Sequence, residues 1–110
     1  MMLFFLQLQN NIQLFHWNTV SYSAHKASDK LYKNIGPLID KFIEVGLDKR
    51  VPSFEDKIIV CHKTLPKFKA YLKQTAILLQ KMGLENDLAN LRDAMLEEIH
   101  QFLYLANLNE

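Results

Sequence analysis

Apolar side chains recur every three or four positions through most of this chain, which is the spacing of one face of an α-helix. The clearest stretch runs from Phe54 to Met82, where the steps alternate between four and three residues as in a heptad repeat, and Pro66 interrupts its backbone. Its members are Phe54, Ile58, Cys61, Leu65, Phe68, Leu72, Thr75, Leu79 and Met82. Three glycines and three prolines in 110 residues are too few for a protein of many short strands and turns. The spacing therefore predicts an all-α protein.

The same spacing divides the chain into four helices joined by short connections. The predicted helices cover roughly residues 3–19, 23–45, 53–82 and 86–107. Ser53 and Asp56 have the spacing of a capping box at the start of the third helix. Gly36-Pro37 is expected to kink or break the second helix. Four apolar-faced helices with short connections favour an antiparallel four-helix bundle in a single domain of 110 residues.

The first predicted helix carries no charged side chain, since no Asp, Glu, Lys or Arg precedes Lys26. Its apolar residues Phe5, Leu8, Ile12 and Phe15 recur at helical spacing. A helix without charge is usually buried on all sides. We therefore expect this helix to lie at the centre of its own bundle or against a second subunit.

Charge and cysteine content exclude several classes of protein. Thirteen basic and twelve acidic side chains give a net charge of +1, so no overall field attracts the chain to nucleic acid or to a membrane. The single Cys61 excludes a disulfide within the chain and a cysteine zinc cluster. The apolar run 1–6 is too short for a signal peptide, and no stretch approaches the ~20 apolar residues of a membrane-spanning helix. We expect a cytoplasmic protein.

Two pairs of potential metal ligands lie in the second predicted helix. His25 and Asp29 are four residues apart, and so are Asp40 and Glu44, so each pair projects from one helix face. Eleven residues, about three turns, separate Asp29 from Asp40 and place both pairs on one stripe. At about 1.5 Å per residue the pairs lie roughly 16 Å apart, which is too far for one metal centre. A single copy of the helix therefore does not join them.

Two copies of the helix would join the pairs. The two outer residues, His25 and Glu44, have the same midpoint as the two inner ones, and it falls beside Asn34. If two such helices pack antiparallel about a two-fold axis at that midpoint, the first pair of one chain faces the second pair of the other, twice over. The spacing therefore predicts a homodimer with two identical sites, each built from both chains.

The donor set narrows the choice of metal. Imidazole and carboxylate donors without a thiolate suit iron(II) or zinc better than magnesium or calcium, which prefer oxygen ligands. Three carboxylates beside one or two histidines favour iron. The alternative is that both pairs belong to a solvated helix face with lysines around them. Those lysines are Lys26, Lys30, Lys33 and Lys41.

Four short motifs carry a further signal. They are His16-Trp17-Asn18, His25-x-x-x-Asp29, Asp40-x-x-x-Glu44 and Phe102-Leu103-Tyr104-Leu105. Together they resemble the Dps mini-ferritins of the ferritin-like superfamily. The resemblance covers the first half of the chain by its ligand pattern and the second half only as helices. The short length is similar to that of a viral or phage-type branch.

The resemblance implies a ferritin-like, Dps-like bundle that binds ferrous iron and promotes its oxidation by peroxide or oxygen at a di-iron ferroxidase site. In that family two histidines and an aspartate come from one subunit, and an acidic pair comes from its two-fold mate. Carried over to this chain, the first set is His16, His25 and Asp29. The second set is Asp40 and Glu44. The implied assembly is a homodimer or a larger oligomer, in the host cytoplasm or in the virion.

The sequence also supports expectations for Trp17, for His62 and for the pair Glu97 and His100. Trp17 is expected to pack where the first two helices meet, whereas the resemblance implies an electron donor that quenches an oxidising species. His62 is expected at the surface or at an interface. Glu97-x-x-His100 has the spacing of a ligand motif of full ferritin-like bundles. Because the first helix contains no acidic residue, we expect no di-iron centre within one chain.

Two other functions stay open. One is a structural or interaction protein that keeps the bundle with a degenerate metal site. The other is a DNA-associated protective protein, which the resemblance also suggests. Lys63, Lys67, Lys69 and Lys73 concentrate positive charge on the third helix, where the heptad spacing predicts a solvated outer face. Because the net charge is close to neutral, we expect no nucleic-acid binding.

Overall fold

A computed structural model describes residues 2–46 and 60–108 of the chain. These residues form four α-helices and no β-strand: α1 (Met2–Asn18), α2 (Tyr22–Gly46), α3 (Leu65–Gln80) and α4 (Asn86–Asn107). The predicted all-α class and the four-helix bundle are confirmed for this part of the chain, and α4 has the predicted boundaries. None of the helices in these ranges is long and apolar enough to cross a membrane.

One apolar core holds the four helices together. α2 packs against both α1 and α4, and α3 packs against α4. Every helix contributes at least one buried phenylalanine. These phenylalanines are Phe5 and Phe15 of α1, Phe42 of α2, Phe68 of α3 and Phe102 of α4. The rings of Phe15 and Phe68 stack at 4.2 Å and Phe102 meets both edge-on, so this contact joins three helices.

α1 buries the face that its spacing predicts, and only that face. Phe5, Leu8, Ile12 and Phe15 are all buried. Leu6 is 39% exposed, so the bundle of one chain does not bury this uncharged helix on all sides. Of the two expectations for α1, a fully enclosed position within a single chain is therefore wrong. Contact with a second subunit stays a prediction.

α2 continues through Gly36-Pro37 as one α-helix, so the predicted break is wrong. Proline lacks the N–H that would bond the carbonyl of residue 33, four positions earlier. Lys33 and Pro37 are both exposed. The missing hydrogen bond therefore lies on the solvent side, where water can replace it. As a result, all four candidate ligands of α2 belong to one uninterrupted element.

α3 begins at Leu65, twelve positions after Ser53, the first residue of the predicted capping box. Residues 60–63 are not helical, and the Ser53–Asp56 box lies outside the described residues. The side chain of Thr64 accepts a hydrogen bond from the backbone N–H of Lys67, and Pro66 occupies the first turn. Proline is favoured there because those N–H groups have no helical partner. The prediction from the heptad spacing therefore placed the start of this helix too early in the chain.

Lys69 contradicts the predicted solvated basic face of α3. It is only 8% exposed, whereas Lys63, Lys67 and Lys73 are exposed. Lys69 directly follows Phe68 in the sequence, and the aliphatic stem of a lysine can cover apolar surface. The positive charges of this segment therefore divide between two environments and do not form one solvated stripe.

Arg92 of α4 holds the end of α3. Its Nη1 donates to the carbonyl oxygens of Leu79 and Met82, both at 3.1 Å, and its side chain is 14% exposed. Carbonyls at a helix end lack helical partners.

Replacing Arg92 with methionine is expected to lower the free energy of unfolding by about 1.5–3 kcal/mol, measured by urea unfolding. Lys81→Met, at an exposed lysine of the same turn, should change it by less than about 0.5 kcal/mol. Equal losses in both variants would contradict this role.

Candidate metal centre

His16 at the end of α1 and His25 near the start of α2 form a closed pair. Their rings stack with centroids 3.9 Å apart and an angle of 21° between the planes. Nδ1 of His16 lies 2.9 Å from the carbonyl oxygen of His25, and Nδ1 of His25 lies 3.1 Å from the carbonyl oxygen of His16. The two contacts fix both rings side by side across the short connection between the helices.

These hydrogen bonds determine which nitrogen of each neutral ring carries the proton. A carbonyl oxygen only accepts, so each Nδ1 donates and each Nε2 keeps its lone pair. The hydroxyl of Ser28 donates to the carbonyl of His25 at 3.0 Å and lies 3.1 Å from Nδ1 of His16. A backbone carbonyl on the second ring nitrogen is a common outer partner of a metal-binding histidine. Both Nε2 atoms are therefore suited to bind a metal ion.

Asp29, one turn after His25, brings a carboxylate to the same place. Its Oδ1 lies 4.0 Å from Nε2 of His16, and its Oδ2 accepts a hydrogen bond from Nζ of Lys33 at 2.9 Å. The hydrogen bond from Lys33 lowers the pKa of Asp29; desolvation opposes this shift, and the charge of Lys33 lowers it further. Asp29 is therefore ionised at neutral pH.

Two of these donors face each other across a gap. Oδ1 of Asp29 and Nε2 of His16 are 4.0 Å apart, so two metal–ligand bonds of roughly 2.1 Å would reach both atoms only at an angle of about 145°, wider than the tetrahedral angle. The donors are two imidazoles and one carboxylate. This combination suits iron(II) and zinc. The structure thus places His16 beside both His25 and Asp29, without forming a three-ligand metal group among the described residues of one chain.

Asp40 and Glu44 lie further along α2, and both are exposed. Their helix is continuous, so they lie roughly 16 Å along its axis from the His25–Asp29 pair. Within residues 2–46 and 60–108 of one chain, no group of three His, Cys, Asp or Glu side chains is placed to hold a metal ion. A single chain therefore presents two separate parts of the predicted site.

Trp17 does not pack between the first two helices as predicted, because its side chain is 66% exposed. It directly follows His16 in the last turn of α1. His62 is half-buried and stacks on Tyr71 at 4.6 Å. Glu97 and His100 are both exposed on α4. Of these residues, Trp17 is the sequence neighbour of His16.

Ser28 and Lys33 were not among the residues singled out as part of the site. Ser28 links both histidines, and Lys33 holds Asp29. Their spacing carried a signal: Ser28 is three residues after His25, and Lys33 is four residues after Asp29. Side chains at these separations are neighbours on a helix. The sequence showed the proximity, but not which of several neighbours makes the contact.

One of three comparisons with known proteins gave a match. The searches of curated proteins and of solved structures gave no match. The sequence model of one protein family, described as a family of unknown function (DUF5856), matches residues 16–105. That range begins at His16 and contains all the candidate ligands. Because the match covers most of the 110 residues, the chain belongs to the DUF5856 family.

Proposed function

We propose that the protein is an iron-binding, Dps-like member of the ferritin-like proteins that oxidises ferrous iron at sites shared by two copies. The observation that carries the proposal is the reciprocal His16–His25 pair, whose hydrogen bonds leave an unprotonated Nε2 on each neutral ring. The ionised Asp29 lies beside it. This donor set suits ferrous iron, with zinc as the alternative ion.

Ferrous iron is the substrate in this proposal. The histidine nitrogens and the carboxylates hold the ions, and open coordination positions admit the oxidant. Two ferrous ions each lose one electron, and hydrogen peroxide takes up both electrons and two protons to form two water molecules. Trp17, which is exposed and adjacent to His16 in the chain, is the proposed electron donor when an oxidising species escapes this route.

A second copy of the chain would complete the site. Because α2 is one continuous helix, a two-fold axis beside Asn34 would place the exposed Asp40 and Glu44 of one chain against the histidine pair of the other. α1 lies beside α2 at this level, since a Cβ atom on Gly36 would lie 3.7 Å from Nε2 of Gln9. A dimer here would extend onto the uncharged α1, which one chain leaves partly uncovered.

The helix contacts support the finer part of the fold proposal, which is an antiparallel ferritin-like bundle. Phe5 near the start of α1 contacts Phe42 near the end of α2, with ring centroids 5.0 Å apart. His16 at the end of α1 contacts His25 near the start of α2. Opposite ends in contact are the arrangement expected of helices joined by a short connection.

Anaerobic titration with ferrous iron tests the proposal. The wild-type protein is expected to bind about one to two ferrous ions per site with saturation, and peroxide should then oxidise them. His25→Ala combined with Asp29→Ala removes two donors, so saturable binding should be lost. Glu97→Ala combined with His100→Ala likewise removes one carboxylate and one imidazole, from exposed positions on α4, and should leave binding unchanged. Equal uptake by the two double variants would overturn the assignment.

The alternative function is a structural or interaction protein with a degenerate metal site. The ion pair between Lys33 and Asp29 favours it, because i,i+4 pairs of this kind are common on solvated helix faces. In that case none of the proteins in the titration binds ferrous iron with saturation. The same experiment therefore separates the two candidate functions.

A further inference from the structure

Lys33 differs from the other lysines of α2 in what it faces. Its Nζ donates to Oδ2 of Asp29 at 2.9 Å, while its side chain stays 70% exposed. Lys26 and Lys30 line a groove of about 450 Å³ that also includes Leu105 of α4. Lys41 borders a second depression together with residues of α4. Lys33 is therefore the lysine directed along the stripe of candidate ligands.

We propose that Lys33 is the counter-ion of the metal site, holding the Asp29 carboxylate in the metal-free protein and giving way when a cation binds; this role rests on the proposed function. The Oδ1 atom of Asp29 faces His16, whereas Lys33 holds the other oxygen. A divalent ion between Asp29 and His16 would lie within a few ångströms of the Lys33 ammonium. Because like charges repel at that range, metal binding has to break or lengthen the ion pair.

In the proposed two-fold dimer, Lys33 would also lie near carboxylates of the other chain and would partly neutralise their negative charge. The position opposite Lys33 about the proposed axis is Gly36, which carries no side chain. The partner's Asp40 lies about one turn further on. Each metal-free site would hold three carboxylates and one lysine. Lys33 thus limits the mutual repulsion of these carboxylates until iron takes over that function. Replacing Lys33 with a neutral residue should therefore strengthen metal binding and weaken the metal-free dimer.

Ferrous titration of three lysine variants, done anaerobically by calorimetry, tests this role. Lys33→Gln removes the competing charge and should lower the dissociation constant for ferrous iron by a factor of about three to ten. Lys33→Arg keeps the charge and the hydrogen bond and should behave as wild type. Lys30→Gln makes the same change on the side of α2 that faces α4, so its effect should stay below about twofold. Native mass measurement without metal should show less dimer for Lys33→Gln, restored by ferrous iron.

The outcomes separate this inference from the proposed function. If wild type binds ferrous iron and Lys33→Gln binds it no more tightly than Lys30→Gln, the counter-ion role is wrong and the iron site stands. If neither wild type nor Lys33→Gln binds, both proposals fail. If only Lys33→Gln binds, the counter-ion role is supported and an iron site in the natural protein is not. A metal-free dimer that is unchanged by Lys33→Gln overturns the proposed offset of carboxylate charge.

Discussion

Replacing Phe68 with alanine is expected to remove about 3–5 kcal/mol from the free energy of unfolding. Phe68 is completely buried. Its ring stacks face to face on Phe15 and meets Phe102 edge-on. Truncation would leave a cavity where α1, α3 and α4 meet and would end both aromatic contacts. Domains of this size are stable by about 5–15 kcal/mol, so the change removes a large share of the total. Urea unfolding followed by circular dichroism, at fixed protein concentration, measures the loss.

Leu78 on the same helix provides the control for Phe68. It is 43% exposed, so Leu78→Ala should cost less than about 1 kcal/mol. Phe68→Leu keeps most of the apolar volume and should fall between the two alanine variants. If Phe68→Ala unfolds at the same urea concentration as Leu78→Ala, the aromatic contact is not a main support of the bundle.

The second large effect is expected when two inactive variants are combined. One chain carries Asp40→Ala and Glu44→Ala, and the other carries His25→Ala and Asp29→Ala. Each variant alone lacks one half of every shared site, so neither should bind ferrous iron with saturation. After co-refolding at equal amounts, about half of the dimers should be mixed, and each mixed dimer should have one complete site of two. Anaerobic titration should therefore recover about a quarter of the wild-type capacity.

The result of this mixing experiment depends on where the ligands come from. If all ligands come from one chain, the mixture contains no complete site and binds nothing. Binding by the Asp40→Ala/Glu44→Ala variant on its own would show that the histidine half is sufficient without the acidic pair. A protein that remains monomeric during native mass measurement would remove the basis for a shared site. Recovery in the mixture alone is the outcome that the two-fold arrangement predicts.

Helical spacing alone located most of the core correctly. Phe68, Leu72 and Leu79 were placed on one face by their steps of three and four, and all three are buried. The spacing did not locate the start of α3, because Cys61 continues the apolar pattern although residues 60–63 are not helical. Thr64 and Pro66 decide the boundary through capping and first-turn preferences, and an apolar period carries no information about either.

The candidate site was partly accessible from the sequence. The four-residue steps of α2 predicted that His25 and Asp29 share a helix face, and the structure places them one turn apart on one helix. The exposure of Trp17 was not predictable, because an aromatic residue at a helix end has apolar neighbours only if another element covers it. Whether Asp40 and Glu44 bind metal depends on a second chain and stays a prediction.

The sequence by itself determined the helical class, the buried faces and the stripe that carries the candidate ligands, because these depend on the period of the α-helix and on nothing more distant. Only the tertiary structure decided that His16 and His25 lie ring against ring, each bonded to the other's carbonyl. Those residues belong to different helices, and the path of the chain between α1 and α2 sets their distance. Long-range packing likewise decided that Lys69 is covered while Leu6 is not.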